Sequence, residues 1–203
     1  MKFRSIAVCP FFVLAMCPMV AAADETMPQE GLWAKVGLGA ASTAYAAAAT
    51  SRSGVSAIAT ASGAAPEVRL ALGVVAAEGT VLHLSAGLSR LSQPEIKATA
   101  GRLEVRGTTT STVSMQSASA GFTHYFGAAS ITARGGYAAT SNDTTTAETS
   151  GWIMGGGLDI DFSASDSSRF GLGVNADFAE VSDKSGNGVS FASFGLFLSG
   201  AFY

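Results

Sequence analysis

Apolar residues occupy every second position over long stretches of this 203-residue sequence. In the segment 169–181, Phe170, Leu172 and Val174 alternate with glycine, amide and charged residues. Side chains alternate between the two faces of a β-strand, so a period of two gives each strand one apolar face and one polar face. The pattern predicts an all-β protein.

The alternation predicts eight strands, and the segments that connect them alternate between short and long. We expect strands at 32–45, 66–76, 80–90, 111–126, 130–140, 151–162, 169–181 and 190–203. Short connections fall at 77–79, 127–129 and 163–168, and long ones at 46–65, 91–110, 141–150 and 182–189. Most of these strands match or exceed the 9–11 or so residues with which a tilted strand crosses a bilayer. The sequence therefore predicts an eight-stranded antiparallel up-and-down transmembrane β-barrel.

The composition helps to decide whether the polar faces of the strands meet water, as in a soluble protein, or line the lumen of a barrel. Only 13% of the residues are charged, and the non-apolar faces are mostly Gly, Ser, Ala and Thr. A soluble β-sandwich, the alternative fold, exposes many charged side chains to water, whereas small residues suit the narrow lumen of an eight-stranded barrel. The 12 Lys and Arg against 15 Asp and Glu leave a net charge of −3, which argues against binding to nucleic acid.

Residues 1–23 are typical of a cleaved signal peptide. Lys2 and Arg4 precede an apolar stretch that ends in three alanines. We therefore divide the chain into a signal peptide, 1–23, and a barrel domain, 24–203. A retained membrane helix is disfavoured by two internal prolines, and a lipobox ending at Cys17 lacks the small residue that should precede the cysteine. Both cysteines lie in this segment, so the mature chain has no disulfide.

Several charged side chains fall on the polar faces of the predicted strands. A buried charge is costly unless it is paired, so we expect these groups to form a salt-bridge network that closes the lumen. A narrow porin lined by the same charges is the alternative. The predicted lumen residues are Lys35, Arg69, His83, Arg134, Asp159, Asp161, Arg169 and Asp177.

Aromatic residues near the strand ends predict an interfacial girdle on the outside of the barrel. His124 lies among three of them and is expected to belong to the same girdle. The other predicted girdle residues are Trp33, Phe122, Tyr125, Phe126, Phe162, Phe170, Phe202 and Tyr203.

The sequence offers little support for catalysis or for a cofactor. His83 and Ser85 share one face of a strand, as a general base and a hydroxyl nucleophile would. Both are predicted to face the lumen rather than lipid, and no acidic partner is near in sequence. With two histidines and no calcium-loop motif, there is no metal-site signal. We predict no enzyme, no cofactor and no metal.

The long connection 91–110 is the most charged of the loops. Its charged residues alternate with apolar ones, so we expect a strand extension beyond the membrane, with an edge that binds partners by strand addition. A solvated hairpin that only links two strands is the equal alternative. The candidate interaction residues are Glu95, Lys97, Arg102, Glu104 and Arg106.

The end of the chain carries the sharpest resemblance to a known family. Phe197, Phe202 and Tyr203 place aromatic residues along a final alternating strand, although Ser199 interrupts one series and the even-numbered positions are the more apolar. The chain resembles the small eight-stranded Gram-negative outer-membrane proteins, such as the outer-membrane protein A barrel, outer-membrane protein X and the opacity proteins. In that family, the final aromatic strand is the signal for the barrel-assembly machinery.

The resemblance spans residues 24–203 and implies a location in the cell outer membrane. It further implies contact with outer-membrane lipid and lipopolysaccharide, and a structural or adhesin-like role through loops that bind a host or surface ligand. Some barrels of this architecture modify lipid A, so a lipid-modifying enzyme is the third reading after the porin.

Overall fold

The computed structural model of the chain describes residues 31–50, 56–143, 145–165, 167–183 and 188–203. The predicted signal peptide, 1–23, lies outside the described residues. Where the chain is described, no helix is long and apolar enough to cross a membrane. The ten strands are β1 (Leu32–Thr50), β2 (Ser56–Ala77), β3 (Thr80–Ser92), β4 (Glu95–Ala100), β5 (Leu103–Thr108), β6 (Thr112–Phe126), β7 (Ala129–Asn142), β8 (Thr145–Ser165), β9 (Ser168–Ser182) and β10 (Gly188–Phe202).

Eight of these strands form a closed antiparallel barrel. Around the barrel the order is β1, β2, β3, β6, β7, β8, β9 and β10, and β10 pairs with β1 from Ala34↔Phe202 to Ala47↔Val189. Each barrel strand therefore lies beside the barrel strands that precede and follow it in the chain, which confirms the predicted up-and-down barrel. Closure leaves no open strand edge in the barrel wall, as a hydrocarbon environment requires.

The two ends of the barrel differ in their connections. At one end, which we call the short-turn end, the chain reverses through Gly79 and Gly127, whose positive φ angles of 68° and 65° suit tight turns. At the other, the long-loop end, β1 and β2 continue well past the barrel wall. The predicted loop 46–65 is therefore largely strand, because β1 and β2 stay paired up to Thr50↔Ser56. Its Ala, Ser and Thr content hides the alternation that marks the other strands.

The outside of the barrel is apolar and the inside is packed with side chains. On β3 the alternation is complete, with Leu84 70% exposed between the buried His83 and Ser85. Outward-facing aliphatic residues recur on every barrel strand except β6, where Phe122 takes this role. Examples are Leu38, Leu70, Leu72, Leu82, Leu84, Ile131, Leu158, Leu172, Leu196 and Leu198.

Aromatic side chains flank this apolar belt on two levels. Phe126, Phe162, Phe170 and Phe202 are exposed near the short-turn end, and Tyr137, Trp152, Phe178 and Phe194 are exposed nearer the long-loop end. Phe170 and Phe178 lie eight residues apart on β9, which is roughly 20 Å along the axis for a strand tilted by about 40°. That spacing approaches the apolar height of about 25 Å in outer-membrane barrels.

The girdle prediction was wrong for three residues, one of which is Tyr203, whose ring packs with those of Trp33 and Tyr125. Trp33 and Tyr125 lie inside the barrel, where Trp33 Nε1 donates a hydrogen bond to the Tyr125 hydroxyl at 3.2 Å. The physical reason is parity, since Trp33 shares its face with the inward-facing Lys35 and not with the exposed Leu32. Proximity to a strand end does not by itself place an aromatic ring in lipid.

Two apolar layers fill the lumen, one near each end. The layer at the short-turn end contains Trp33, Ala71, Val81 and Tyr125. The layer at the long-loop end is larger and consists of Tyr45, Ala65, Leu91, Met115, Ala138, Ile153, Ala179, Val181 and Phe191. Most charged residues of the lumen lie between these two layers, and the others lie nearer the short-turn end.

Candidate functional site

A buried network of charges lies between the two apolar layers. Asp177 accepts hydrogen bonds from Arg69 Nη2 at 2.7 Å and from Arg134 Nη2 at 2.6 Å, and Arg69 also pairs with Glu67. All four side chains are at most 14% exposed. Ion pairs gain strength when water is excluded, and each group here has a partner of opposite charge.

Glu67 belongs to this network although the sequence analysis did not single it out. It lies two residues from Arg69 on the same face of β2 and is 5% exposed. Parity would have identified it, since Arg69 was found in that way. A loop over 46–65 puts Glu67 near the start of a strand, where a solvated carboxylate is expected.

The remaining predicted lumen residues also face inward. Lys35 Nζ lies 3.1 Å from Asp159 Oδ2. Nearer the short-turn end, Arg169 donates to the Gly127 carbonyl at 3.1 Å, and its guanidinium lies over the rings of Tyr125 and Tyr203. Asp161 and His83 are buried at neighbouring levels. The structure thus places all eight predicted lumen residues on the inner face.

His83 contacts Thr123 and Trp33, and not Ser85. Its Nε2 lies 3.2 Å from Thr123 Oγ1, and its ring packs against that of Trp33 with centroids 5.4 Å apart. Ser85 Oγ is hydrogen-bonded to Ser119 Oγ at 2.8 Å rather than to the histidine. Within the described ranges, no group of three metal-ligating side chains comes together.

A small cavity lies beside this network. Its volume is about 50 Å³, and Lys35, Arg69, His83, Arg134 and Asp159 contribute to its wall. A space of this size holds a few water molecules, each of which needs roughly 10–15 Å³ by the same measure. The polar part of the lumen therefore has room for bound water but not for a solute of ordinary size.

Outside the barrel wall, β4 and β5 form a hairpin that extends from the long-loop end. β4 pairs with the extended part of β2 from Ala57↔Ala100 to Ser62↔Glu95, and β5 pairs with β4. Gly101 opens the turn with a φ of 60°. Residues 95–106, the predicted interaction segment, lie within this hairpin.

The two faces of the hairpin differ in chemistry. On one face, Glu104 contacts Lys97 at 3.0 Å and Arg106 at 2.7 Å, and the hydrogen bond from Lys97, followed by that from Arg106, lowers the pKa of the Glu104 carboxyl. The opposite face carries Leu103 and Val105, which are 75% and 68% exposed. These large apolar side chains meet solvent without a partner among the described residues.

The apolar face of the hairpin continues the inner face of the barrel. Val105 lies opposite Ala98, Ala98 opposite Ala59, and the series leads through Ala61 to the inward-facing Tyr45. Directly opposed residues of antiparallel strands share a face, so the lumen surface extends into this projecting sheet. The charged face correspondingly continues the outer surface, at a level beyond the apolar belt.

The final strand has the opposite orientation to the one that its odd-numbered aromatics suggest. Phe197 is 3% exposed inside the barrel, under the guanidinium of Arg69, whereas Phe202 faces outward and Tyr203 is half-buried at the short-turn end. Ser199, the residue that departed from the family pattern, faces the lumen and therefore needs no apolar side chain. Of the three residues predicted to form the signal for the barrel-assembly machinery, Phe202 lies on the outer face of the barrel.

Comparison with known proteins identifies the architecture. No protein-family model and no curated protein sequence matches the chain. Among solved structures, the outer membrane protein OprG from Pseudomonas aeruginosa aligns with a TM-score of 0.51 at 13% identity, over 86% of this chain and 96% of that one. The chain has the fold of a small outer-membrane β-barrel.

Two further structures align with this barrel at lower scores. Neisserial surface protein A gives a TM-score of 0.49 at 11% identity, over 86% of this chain and 99% of its own. The attachment invasion locus protein Ail of Yersinia pestis gives 0.45 at 13% identity, over 87% and 100% respectively. At these identities the comparisons describe the fold of the barrel and not its activity.

Proposed function

We propose that this barrel resides in the outer membrane, with its long-loop end outside the cell, and acts there as a surface-interaction protein. The observation that carries the proposal is the β4–β5 hairpin, which projects beyond the apolar belt and presents an open strand edge. Such an edge binds an extended segment of a partner through main-chain hydrogen bonds. The partner is a host or surface ligand, and outer-membrane lipid and lipopolysaccharide surround the belt.

The outer-membrane location is supported by the belt and its aromatic borders. Lipid-facing leucines on a closed barrel match the requirement that every backbone polar group be satisfied inside hydrocarbon. The predicted signal peptide, 1–23, provides export, and the final strand with Phe202 on its outer face is the segment offered to the barrel-assembly machinery.

A closed lumen favours this role over that of a narrow porin. An apolar layer lies on either side of the charged network, and Tyr45 and Phe191 fill the layer at the long-loop end with rings 5.0 Å apart. Six of the charged side chains are held in ion pairs, namely Lys35, Glu67, Arg69, Arg134, Asp159 and Asp177. We expect the purified protein to give no stable single-channel steps in planar bilayers, and reproducible ion-selective steps would instead favour the porin.

A lipid-modifying enzyme is disfavoured by the position of its best candidate base. His83 lies inside the barrel against Trp33 and Thr123, whereas an acyl chain would approach from the outside. The proposal therefore assigns no catalytic residue, no cofactor and no metal.

The decisive experiment compares the full chain with a variant that lacks residues 95–106. Both are produced in a Gram-negative host, and heat-modifiable gel migration verifies that each barrel is folded in the outer membrane. Trypsin added to intact cells should cleave the full chain at Lys97, Arg102 or Arg106 while leaving the barrel protected. Cells with the full chain should bind immobilised host cells or matrix, and deletion should abolish that binding. Unchanged binding after deletion would overturn the assignment to the hairpin.

A further inference from the structure

The outer edge of β5 is open, and its polar backbone groups have a defined spacing. Among the described residues β5 pairs only with β4, and Thr109 N donates to the Pro94 carbonyl as the ladder continues beyond the hairpin. Backbone groups of successive residues alternate between the two edges of an antiparallel strand. Those of Leu103, Val105 and Gly107 therefore point toward β4, and those of Glu104, Arg106 and Thr108 point to the open edge.

We propose that the partner at this edge is β5 of a second copy of the chain, paired antiparallel about Val105. This deepens the proposed function, because it rests on the hairpin being exposed at the cell surface. In this register Glu104 lies opposite Arg106 of the second copy, and Arg106 opposite its Glu104. Leu103 lies opposite Gly107 of the second copy. A β-carbon built on Gly107 would have no other atom within 4 Å, so the large leucine side chain has room beside it.

The charge pattern selects this register over its neighbours. A shift by one residue would place Glu104 beside an apolar side chain and mix the two faces of the hairpin. A shift by two would place either Glu104 opposite Glu104 or Arg106 opposite Arg106. Like charges directly opposite each other destabilise a strand pair, whereas opposite charges stabilise it. Centring on Val105 makes both charged pairs attractive.

The backbone geometry agrees with the same register. Glu104 and Arg106 are the residues whose N–H and C=O groups point to the open edge, so each Glu104–Arg106 pair forms two main-chain hydrogen bonds. The symmetry axis passes through the Val105 pair, which forms none. The joint sheet keeps its charged side chains on one face and Leu103 and Val105 on the other. Within its own hairpin Arg106 lies opposite Lys97, which carries the same charge. In the joint sheet, the attraction to Glu104 of the second copy offsets this repulsion.

The direction of β5 places the second copy in a facing membrane. β5 runs from the hairpin tip toward the membrane, since β6 continues it into the barrel wall. Two copies in one membrane share that direction and could pair β5 only in parallel, with Glu104 beside Glu104 at equal register. Antiparallel pairing requires barrels that enter from opposite sides. The structure therefore points to adhesion between two cells that carry the same protein.

A single contact of this kind is small, because only residues 103–107 of each strand take part. Two membranes that carry many copies bind through many such contacts at once, and avidity strengthens the bond without any additional surface. We therefore expect clustering of membranes rather than a stable dimer in detergent.

The experiment uses charge complementation in proteoliposomes. The full mature chain is reconstituted into phosphatidylcholine vesicles carrying one of two dyes, and clustering is followed by turbidity and two-colour colocalisation. We expect wild-type vesicles to cluster. Vesicles with Glu104→Arg or with Arg106→Glu alone should cluster at least about tenfold less, because both opposed pairs become repulsive. A mixture of the two variants should cluster again, since each Arg then faces a Glu.

Two further variants separate a local effect from loss of the hairpin. The double variant Glu104→Arg/Arg106→Glu restores opposed charges and should cluster like wild type. Glu148→Arg makes the same charge change at an exposed position of β8, outside the hairpin, and should leave clustering unchanged. Undiminished clustering of Glu104→Arg vesicles, or no rescue in the mixture, would overturn the self-pairing. If vesicles fail to cluster while the 95–106 deletion still abolishes ligand binding, self-pairing fails and the proposed function stands.

Discussion

Gly155 lies directly opposite Asp177 in the register of β8 and β9, and a β-carbon on Gly155 would overlap Asp177 Oδ1. The same relationship joins Gly173 to Asp159 on the same two strands. An eight-stranded barrel has just enough interior volume for its side chains. A lumen carboxylate therefore takes the space of its cross-strand neighbour as well as its own, and glycine opposite it is a packing requirement.

Substitution of Gly155 by alanine should destabilise the barrel. The added methyl group displaces the Asp177 carboxylate from Arg69 and Arg134, and overpacking of this kind costs about 1–3 kcal/mol. Urea unfolding of the refolded protein in detergent or lipid measures the loss. Gly135→Ala is the control, because the nearest atom to its β-carbon is 3.8 Å away. Equal free energies of unfolding for the two variants would show that the lumen has unfilled space beside the Asp177 carboxylate.

Asp177→Asn should cost more than the loss of an exposed ion pair. The change leaves the guanidinium groups of Arg69 and Arg134 without their shared carboxylate in a buried setting, for which about 3–5 kcal/mol is typical. Unfolding in urea gives the free energy. The exposed Glu104→Gln change is the comparison, and the loss of stability there should be smaller because solvent screens a surface ion pair. A loss at Asp177 as small as that at Glu104 would mean that water penetrates the lumen and screens its charges.

His83→Ala should lower stability without changing lipid A. The substitution removes the hydrogen bond with Thr123 and the packing on Trp33. Thr123 keeps its hydrogen bond to Thr132, so the expected cost is that of one hydrogen bond and the lost packing, about 1 kcal/mol or more. Mass spectrometry of lipid A from cells with the wild-type or variant protein tests for an enzymatic role. A lipid A species that depends on the wild-type protein and vanishes in His83→Ala would revive the enzyme.

The Glu104 carboxyl should titrate at lower pH than an ordinary glutamate. Its contacts with Lys97 and Arg106 lower its pKa, so the charged cluster contributes hairpin stability above the pKa of the unfolded chain and loses it as pH falls through the lowered pKa. Carbon-13 NMR of selectively labelled protein in micelles gives the titration directly. Lys97→Met should move the pKa back toward the ordinary value. An unaltered titration in that variant would remove Lys97 as the main cause.

The sequence alone determined the strands and their two faces. Alternation is a local property that depends only on the strand period, so parity placed Lys35, Arg69 and Asp159 inside without knowledge of any neighbour. Chain order and the alternating connection lengths then determined the up-and-down pairing, because short turns leave antiparallel neighbours as the only arrangement. The strand limits were less accessible, since the Ala and Ser of 46–65 carry no contrast between faces.

The partners of the inward-facing groups depend on the tertiary structure. Arg69 and Asp177 are 108 residues apart, and their contact depends on closure of β1 onto β10 and on the level of each residue along the barrel axis. The open edge of β5 is likewise a property of the sheet order, because among the described residues β5 pairs only with β4. The two-residue period of a strand determines which side of the sheet each side chain faces. Its contact partner depends on the register of the strands and on closure of the barrel, and both of these are non-local.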